Sequence, residues 1–230
     1  MLTAEEWAIV ALSLKVSGAA ILATLPFAFA LAWLLARGRF PGKILLDALV
    51  HLPLVVPPVI TGWLLLLGFG GNGPIGRLCE NLFGLTFMFR WTGAALASAI
   101  MALPLMVRAI RLSLEAVDRR LESAARTLGA GPWQTFLAIT LPLSLPGVLA
   151  GAVLGFARSL GEFGATITFV SNIPGETRTL PLAIYAALQM PGSDAAVARL
   201  AGLSVLLSLG ALVASEWLVR RGGRGEHHVL

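Results

Sequence analysis

Glu122-Ser-Ala-Ala-Arg-Thr-Leu-Gly129, continued through Gly131-Pro132-Trp133 to Ile139-Thr-Leu-Pro142, is a polar, patterned stretch in a chain that is otherwise apolar. Asp118 can cap a helix start, and Leu121, Ala124, Ala125 and Leu128 recur at i, i+3, i+4 and i+7. Gly129 is placed to end that helix in a left-handed turn, and Pro132 suits the first position of a second short helix. The expectation is a compact helix-turn-helix knob over about residues 118–142, set between two apolar spans.

The surroundings of the knob fix the class. The 230 residues are 57% hydrophobic and 13% charged, with a mean hydropathy of +0.84, far too apolar for an ordinary soluble domain. The fold class expected is an all-α membrane protein forming a single transmembrane domain over 1–230. Its one cysteine, Cys79, excludes a disulfide framework within the chain and any cysteine-based metal site. The sequence pI of about 10.6 does not point to nucleic acid, because the basic residues stand at the ends of apolar runs and form no dense cluster.

About five spans are expected. The first covers residues 16–36, 21 residues that are too long for a signal-peptide core and follow an acidic start; Thr3 and Glu6 have capping-box spacing, and Trp7 suits the interface. The second covers about 48–69 and carries Pro53, Pro57 and Pro58, which remove backbone donors and force kinks. His51, one turn after Asp47, reads as a structural hydrogen-bonded pair rather than a proton relay, since no third polar partner is visible in the sequence. Gly70-Gly-Asn-Gly-Pro74 reads as a loop, and a third span covers about 91–107. A fourth, about 146–170, carries Gly147, Ala150, Gly151, Ala152 and Gly155, a face expected to pack closely against another helix, with a dimer axis as one place for that contact. Residues 171–181 read as a loop, Leu182 to Met190 as a helix too short to span, and 200–219 as the last span.

Orientation follows from charge. With the N-terminus outside and the C-terminus cytoplasmic, 11 of the 17 Lys and Arg residues fall on the inner side, among them Arg37, Arg39, Lys43, Arg119, Arg120, Arg126 and Arg224. The knob then lies in the cytoplasm. No Gly-rich phosphate loop ending in Lys-Ser/Thr occurs in the chain, so the energy for any ATP-driven work must come from a partner.

The spacing Ala124-Ala125, three residues, Gly129, nine residues, Ile139-Thr140-Leu141-Pro142 resembles the cytoplasmic loop of permease subunits of type I binding-protein-dependent ABC importers. The family's Glu would fall on Ser123, whereas here the acid is Glu122. That is a rotation of about 100° on a helix, so the family's ion pair does not carry over by position alone. Phe40-Pro-Gly-Lys43, the run from Asp47 to Pro58, Gly155 to Thr166, and Pro174 to Tyr185 resemble the molybdate-importer branch, with sulfate, thiosulfate and tungstate permeases as near relatives.

The resemblance implies a non-catalytic permease in a bacterial or archaeal cytoplasmic (inner) membrane. It implies a homodimer of this permease, two separate ATPase subunits that hold ATP-Mg, and a periplasmic or extracellular oxyanion-binding protein. No cofactor and no nucleic acid is expected on this chain. ATPase docking falls to Glu122, Ala124, Ala125, Arg126 and Gly129, with Leu128, Pro132 and Leu141 shaping the knob.

Arg158, Glu162 and Phe163 are the candidate pathway or gate residues. A charge near the bilayer centre costs roughly 2.5–3.5 kcal/mol, so Arg158 either meets an anion or is neutralised by Glu162 one turn on, the pair then holding a helix bend near the outer interface. The loop from Asn172 to Thr179, with Glu176 and Arg178, either contacts a binding protein or is a solvated loop. Two other classes make different demands. An ion-coupled secondary transporter needs intramembrane carboxylates or an inverted repeat, and a membrane scaffold does not need the knob spacing.

Overall fold

A computed structural model describes residues 3–223, and among these every regular element is helical. Helix α1 (Ala4–Arg37) starts at a reciprocal cap. Thr3 Oγ1 accepts from the Glu6 amide at 3.2 Å, and the Thr3 amide donates to Glu6 Oε2 at 2.8 Å. The helix runs 34 residues to Arg37, its first turns preceding the apolar run at Val16.

The span read over 48–69 is not one helix. Helices α2 (Lys43–Val55) and α3 (Pro58–Phe69) meet at 114°. Val56 and Pro57 are extended at the break, as expected where each precedes a proline and two consecutive amides lack a proton. The loop expected at Gly70–Pro74 is a turn over Gly70–Gly73, and it leads to α4 (Pro74–Phe83), a helix to which the sequence reading assigned no element.

Helix α5 (Trp91–Ala116) is the centre of the bundle and continues well past residue 107. Its small residues let α1 and α8 (Leu141–Leu160) close on it, and Ala28, Ala32 and Leu35 of α1 pack there with Met106, Ile110 and Leu114. Gly147, Gly151 and Gly155 pack closely on another helix as expected, and that helix is α5 of the same chain. A Cβ on Gly147 would fall on the side chain of Ser113, and one on Gly155 would stand 2.7 Å from Met106 Cγ.

The fourth apolar run also breaks. Helix α8 ends at Leu160, Gly161 to Phe163 leave the helical path, and α9 (Gly164–Val170) packs on α3, where a Cβ on Gly62 would meet the Ala165 carbonyl at 2.6 Å. Helix α10 (Leu180–Leu188) and α11 (Asp194–Gly223) are the last elements among the described residues. The first turns of α1 gather Leu180, Ala183 and Leu200 into a smaller core. Glu6 is tied there to Arg199 at 2.9 Å, and Glu5 to Arg178 at 3.5 Å. Arg224, counted above for orientation, lies outside the described residues.

Among the described residues four helices are long and apolar enough to cross a membrane, five if the bent α2–α3 pair forms one span.

Candidate functional site

The knob is built on α6 (Arg119–Thr127). Asp118 caps it by accepting from the Arg120 amide at 2.9 Å, and Gly129 leaves it in the left-handed region at φ +92°. The second half differs from expectation. Pro132 starts α7 (Pro132–Thr135), which continues through one π-helical turn, Phe136–Thr140, straight into α8. What looked like a second short helix is the foot of a 29-residue span, Pro132–Leu160. The π turn shifts the hydrogen-bond register just before Pro142, whose ring nitrogen has no proton to donate.

Helix α6 has two chemically different faces. Leu121, Ala124, Ala125 and Leu128 lie on one, and its apolar groups are largely uncovered, with Leu128 89% exposed. Trp133 at the start of α7 is 69% exposed. Arg119, Glu122, Ser123 and Arg126 lie on the other face, turned towards α1 and α7. Glu122 is therefore not presented outward. Its Oε1 accepts from Arg37 Nη2 at 2.7 Å and from Thr140 Oγ1 at 2.8 Å, so the one-residue shift of the acid points it into the protein. Of the docking candidates, Ala124 and Gly129 are exposed and Ala125 half-buried on the outward side; Arg126 and Pro132 are exposed but also border the inner face, and Leu141 is half-buried in the span.

Helix α2 is tied to α5 near the same end. Arg111 donates to Asp47 Oδ1 at 3.1 Å and to Glu115 Oε1 at 2.8 Å, while His51 Nδ1 lies 3.3 Å from Asp47 Oδ1. The Asp47–His51 pair thus has a third polar partner, supplied by a helix more than sixty residues away, and a fourth in Glu115.

The pathway candidates meet at the break after α8. Arg158 Nη1 is 2.7 Å from Glu162 Oε2, and Glu162 Oε1 accepts from the Ala165 amide at 2.9 Å, capping α9. The Glu162 side chain is only 2% exposed, that of Arg158 27%. Ser159 donates to Ser17 at 3.0 Å, which sets the ion pair level with the first turn of the α1 apolar run rather than at its middle. Phe163 packs on Tyr185 with ring centroids 5.0 Å apart, so the three residues form one junction between α8, α9 and α10. In the loop that follows, Arg178 is engaged by Asn172 as well as by Glu5. The sequence carried no signal for Arg37, Thr140 or Ser17 as partners; each pairing joins separate helices.

A bundle of long apolar helices with one short helix protruding from it, apolar face uncovered, defines the class: a helical membrane-spanning protein. Residues 19–223 match the family described as binding-protein-dependent transport system inner membrane component, and the chain belongs to that family. It is 60% identical to the molybdenum transport system permease protein ModB of Escherichia coli over 228 residues, 97% of this chain and 100% of the relative. It is also 60% identical to ModB of Haemophilus influenzae, over 91% of this chain and 92% of that one. Among solved structures, a bacterial alginate ABC transporter in complex with its pentasaccharide-bound periplasmic protein superposes with a TM-score of 0.74 at 20% identity, covering 95% of this chain and 80% of that one; this supports the fold alone. The chain is thus a multi-pass inner-membrane permease, the membership that the Ala124–Pro142 spacing led one to expect.

Proposed function

We propose that this chain is the membrane subunit of an ATP-driven molybdate importer, assembled from two copies of itself, two ATPase subunits and an external oxyanion-binding protein. The uncovered α6 face carries the docking part of this reading. Leu121, Ala124, Ala125 and Leu128 make an apolar patch on a short helix outside the bundle, a shape that fits a partner's groove. The 60% identity to a molybdenum permease over nearly the whole chain favours molybdate over sulfate or tungstate. The bias of basic residues supports a cytoplasmic α6, with the N-terminus outside and the C-terminus inside.

Closure of the ATPases on ATP then biases a bistable packing of the helices through α6. Because α7 and α8 are continuous, movement at Pro132 reaches the Arg158–Glu162 junction without an intervening loop. That junction gates the path. An Arg neutralised by a buried carboxylate is a weak anion ligand, which suits a path that must release its cargo and leaves selectivity to the binding protein.

The test is uptake of radiolabelled molybdate, sulfate and tungstate by vesicles reconstituted with the partners, with and without ATP. ATP-dependent uptake led by molybdate is expected. Uptake that proceeds without ATP on an ion gradient would place the chain among secondary transporters and end the proposal.

A further inference from the structure

The inward face of α6 borders a polar cleft of about 360 Å³. Arg119, Glu122, Ser123 and Arg126 line one wall at i, i+3, i+4 and i+7, and Trp33 and Arg37 of α1 stand opposite, with the foot of α7 as its floor. Its charges do not balance. Three guanidinium groups face one carboxylate, and that carboxylate already receives Arg37 and Thr140 on a single oxygen.

The hydroxyls around the cleft are committed as well. Ser123 and Thr135 each donate their proton to a backbone carbonyl, of Arg119 and of Gly131, both at 3.0 Å. Arg119 and Arg126 make no side-chain hydrogen bond or ion pair among the described residues. The hydroxyls thus have no proton left to donate, and the donors still free are guanidinium groups that outnumber the one carboxylate, an excess of positive charge that suits a tetrahedral anion with several oxygens.

Its level in the protein narrows the ligand. Arg37 is the last residue of α1 and Trp33 lies one turn before it, where the apolar run from Val16 ends. A Trp beside Arg at that position marks the depth at which hydrocarbon gives way to headgroups. We propose that the cleft between α1, α6 and α7 is a binding site for a phosphate group, carried by an anionic phospholipid headgroup or present as the free ion. A phosphate there bridges Arg119 and Arg126 of α6 to Arg37 of α1 and steadies the knob beside the Arg37–Glu122 pair. This site is separate from the outward apolar face and stands whether or not that face docks an ATPase.

The experiment uses the purified full-length chain. Native mass spectrometry measures retention of phosphatidylglycerol against phosphatidylcholine offered in equal amounts, and thermal unfolding is followed with and without inorganic phosphate. Preferential retention of phosphatidylglycerol identifies the lipid as the source, and stabilisation by inorganic phosphate identifies the free ion; either supports the site. The double variant Arg119→Gln/Arg126→Gln should weaken whichever response is seen by about a hundredfold or more, the loss expected for two charged hydrogen bonds, while Leu121→Gln on the opposite face leaves it intact. Equal retention of the two lipids together with no response to phosphate in the unmodified chain overturns the proposal, and so does a double variant that responds as the unmodified chain does. The arms on the unmodified chain decide even where the double variant is not recovered folded.

Discussion

Glu122 Oε1 lies 2.7 Å from Arg37 Nη2, joining positions 85 residues apart and pinning the protruding helix α6 to the end of α1. Their side chains are 17% and 13% exposed, so water screens the pair poorly and its loss is felt. Glu122→Ala also leaves Thr140 without its acceptor. It should lower stability by about 1.5–3 kcal/mol, and a double-mutant cycle with Arg37→Ala should return a coupling of about 1 kcal/mol or more. Purely additive losses in thermal unfolding would mean that the two groups do not act together.

Gly129 sits at φ +92° with open space around its missing Cβ, so the constraint there is backbone conformation rather than room. Gly129→Asn should keep most ATP-driven uptake, whereas Gly129→Val should lose it through strain of about 1–2 kcal/mol in the turn. Gly129→Asp should uncouple ATP hydrolysis from uptake with normal amounts of protein in the membrane. Coupled uptake by the Asp variant at the unmodified rate would remove Gly129 from the docking surface.

The α5–α8 contact makes a different demand. Gly147→Ala drives a methyl into Ser113, an overpacking cost of about 1–3 kcal/mol that outweighs the better helix propensity of Ala. Ser113→Gly should restore the unfolding temperature of Gly147→Ala, because it removes the side chain the methyl strikes. A Gly147→Ala variant as stable as the parent would show that the two helices separate freely here.

At the α8–α9 break, Glu162→Ala strands Arg158 and uncaps α9, and should cost about 3 kcal/mol or more. Replacing the pair together, as Arg158→Met/Glu162→Gln, keeps an acceptor for the Ala165 amide and should return stability to within about 1 kcal/mol of the parent. If the pair gates the path, molybdate uptake by that stable double variant falls about tenfold or more. Undiminished uptake would leave the pair as a holder of the bend alone.

Ser171 adopts φ +64° and ψ −166°, a region natural to glycine, with its side chain exposed. Ser171→Gly should therefore raise stability by about 1 kcal/mol, read as a higher unfolding temperature. A drop would show that the serine hydroxyl contributes more than the strain it imposes.

Much of the knob was legible in the sequence, since its determinants are local: Asp118 at the cap, the i, i+3, i+4, i+7 pattern over Leu121 to Leu128, and Gly129 at the turn. The family resemblance rested on the same short stretch. Hydropathy did less well where direction changes without a change in composition. It ran straight through Gly161–Phe163, and it registered Pro57 and Pro58 as a kink without revealing a turn of 114°. The prolines at 142 and 146 suggested that a span began there, whereas one π turn absorbs the first and joins the knob to the span. Small residues on α8 signalled close approach but not to which helix, and only the three-dimensional fold names α5. Arg37 with Glu122, and Arg111 with Asp47, are pairings over 85 and 64 positions that no local pattern encodes.

The unbroken helix from Pro132 to Leu160 gives the molecule a rod. Its 29 residues measure about 43 Å at 1.5 Å each, long enough to cross the bilayer with its foot beside α6 and its head one residue past Ser159. Moving as one body, π turn and prolines included, it carries its head through about 7 Å for a tilt of about 10° at the foot. On the reading that the Arg158–Glu162 junction gates the path, the amplitude of opening scales with the length of one helix.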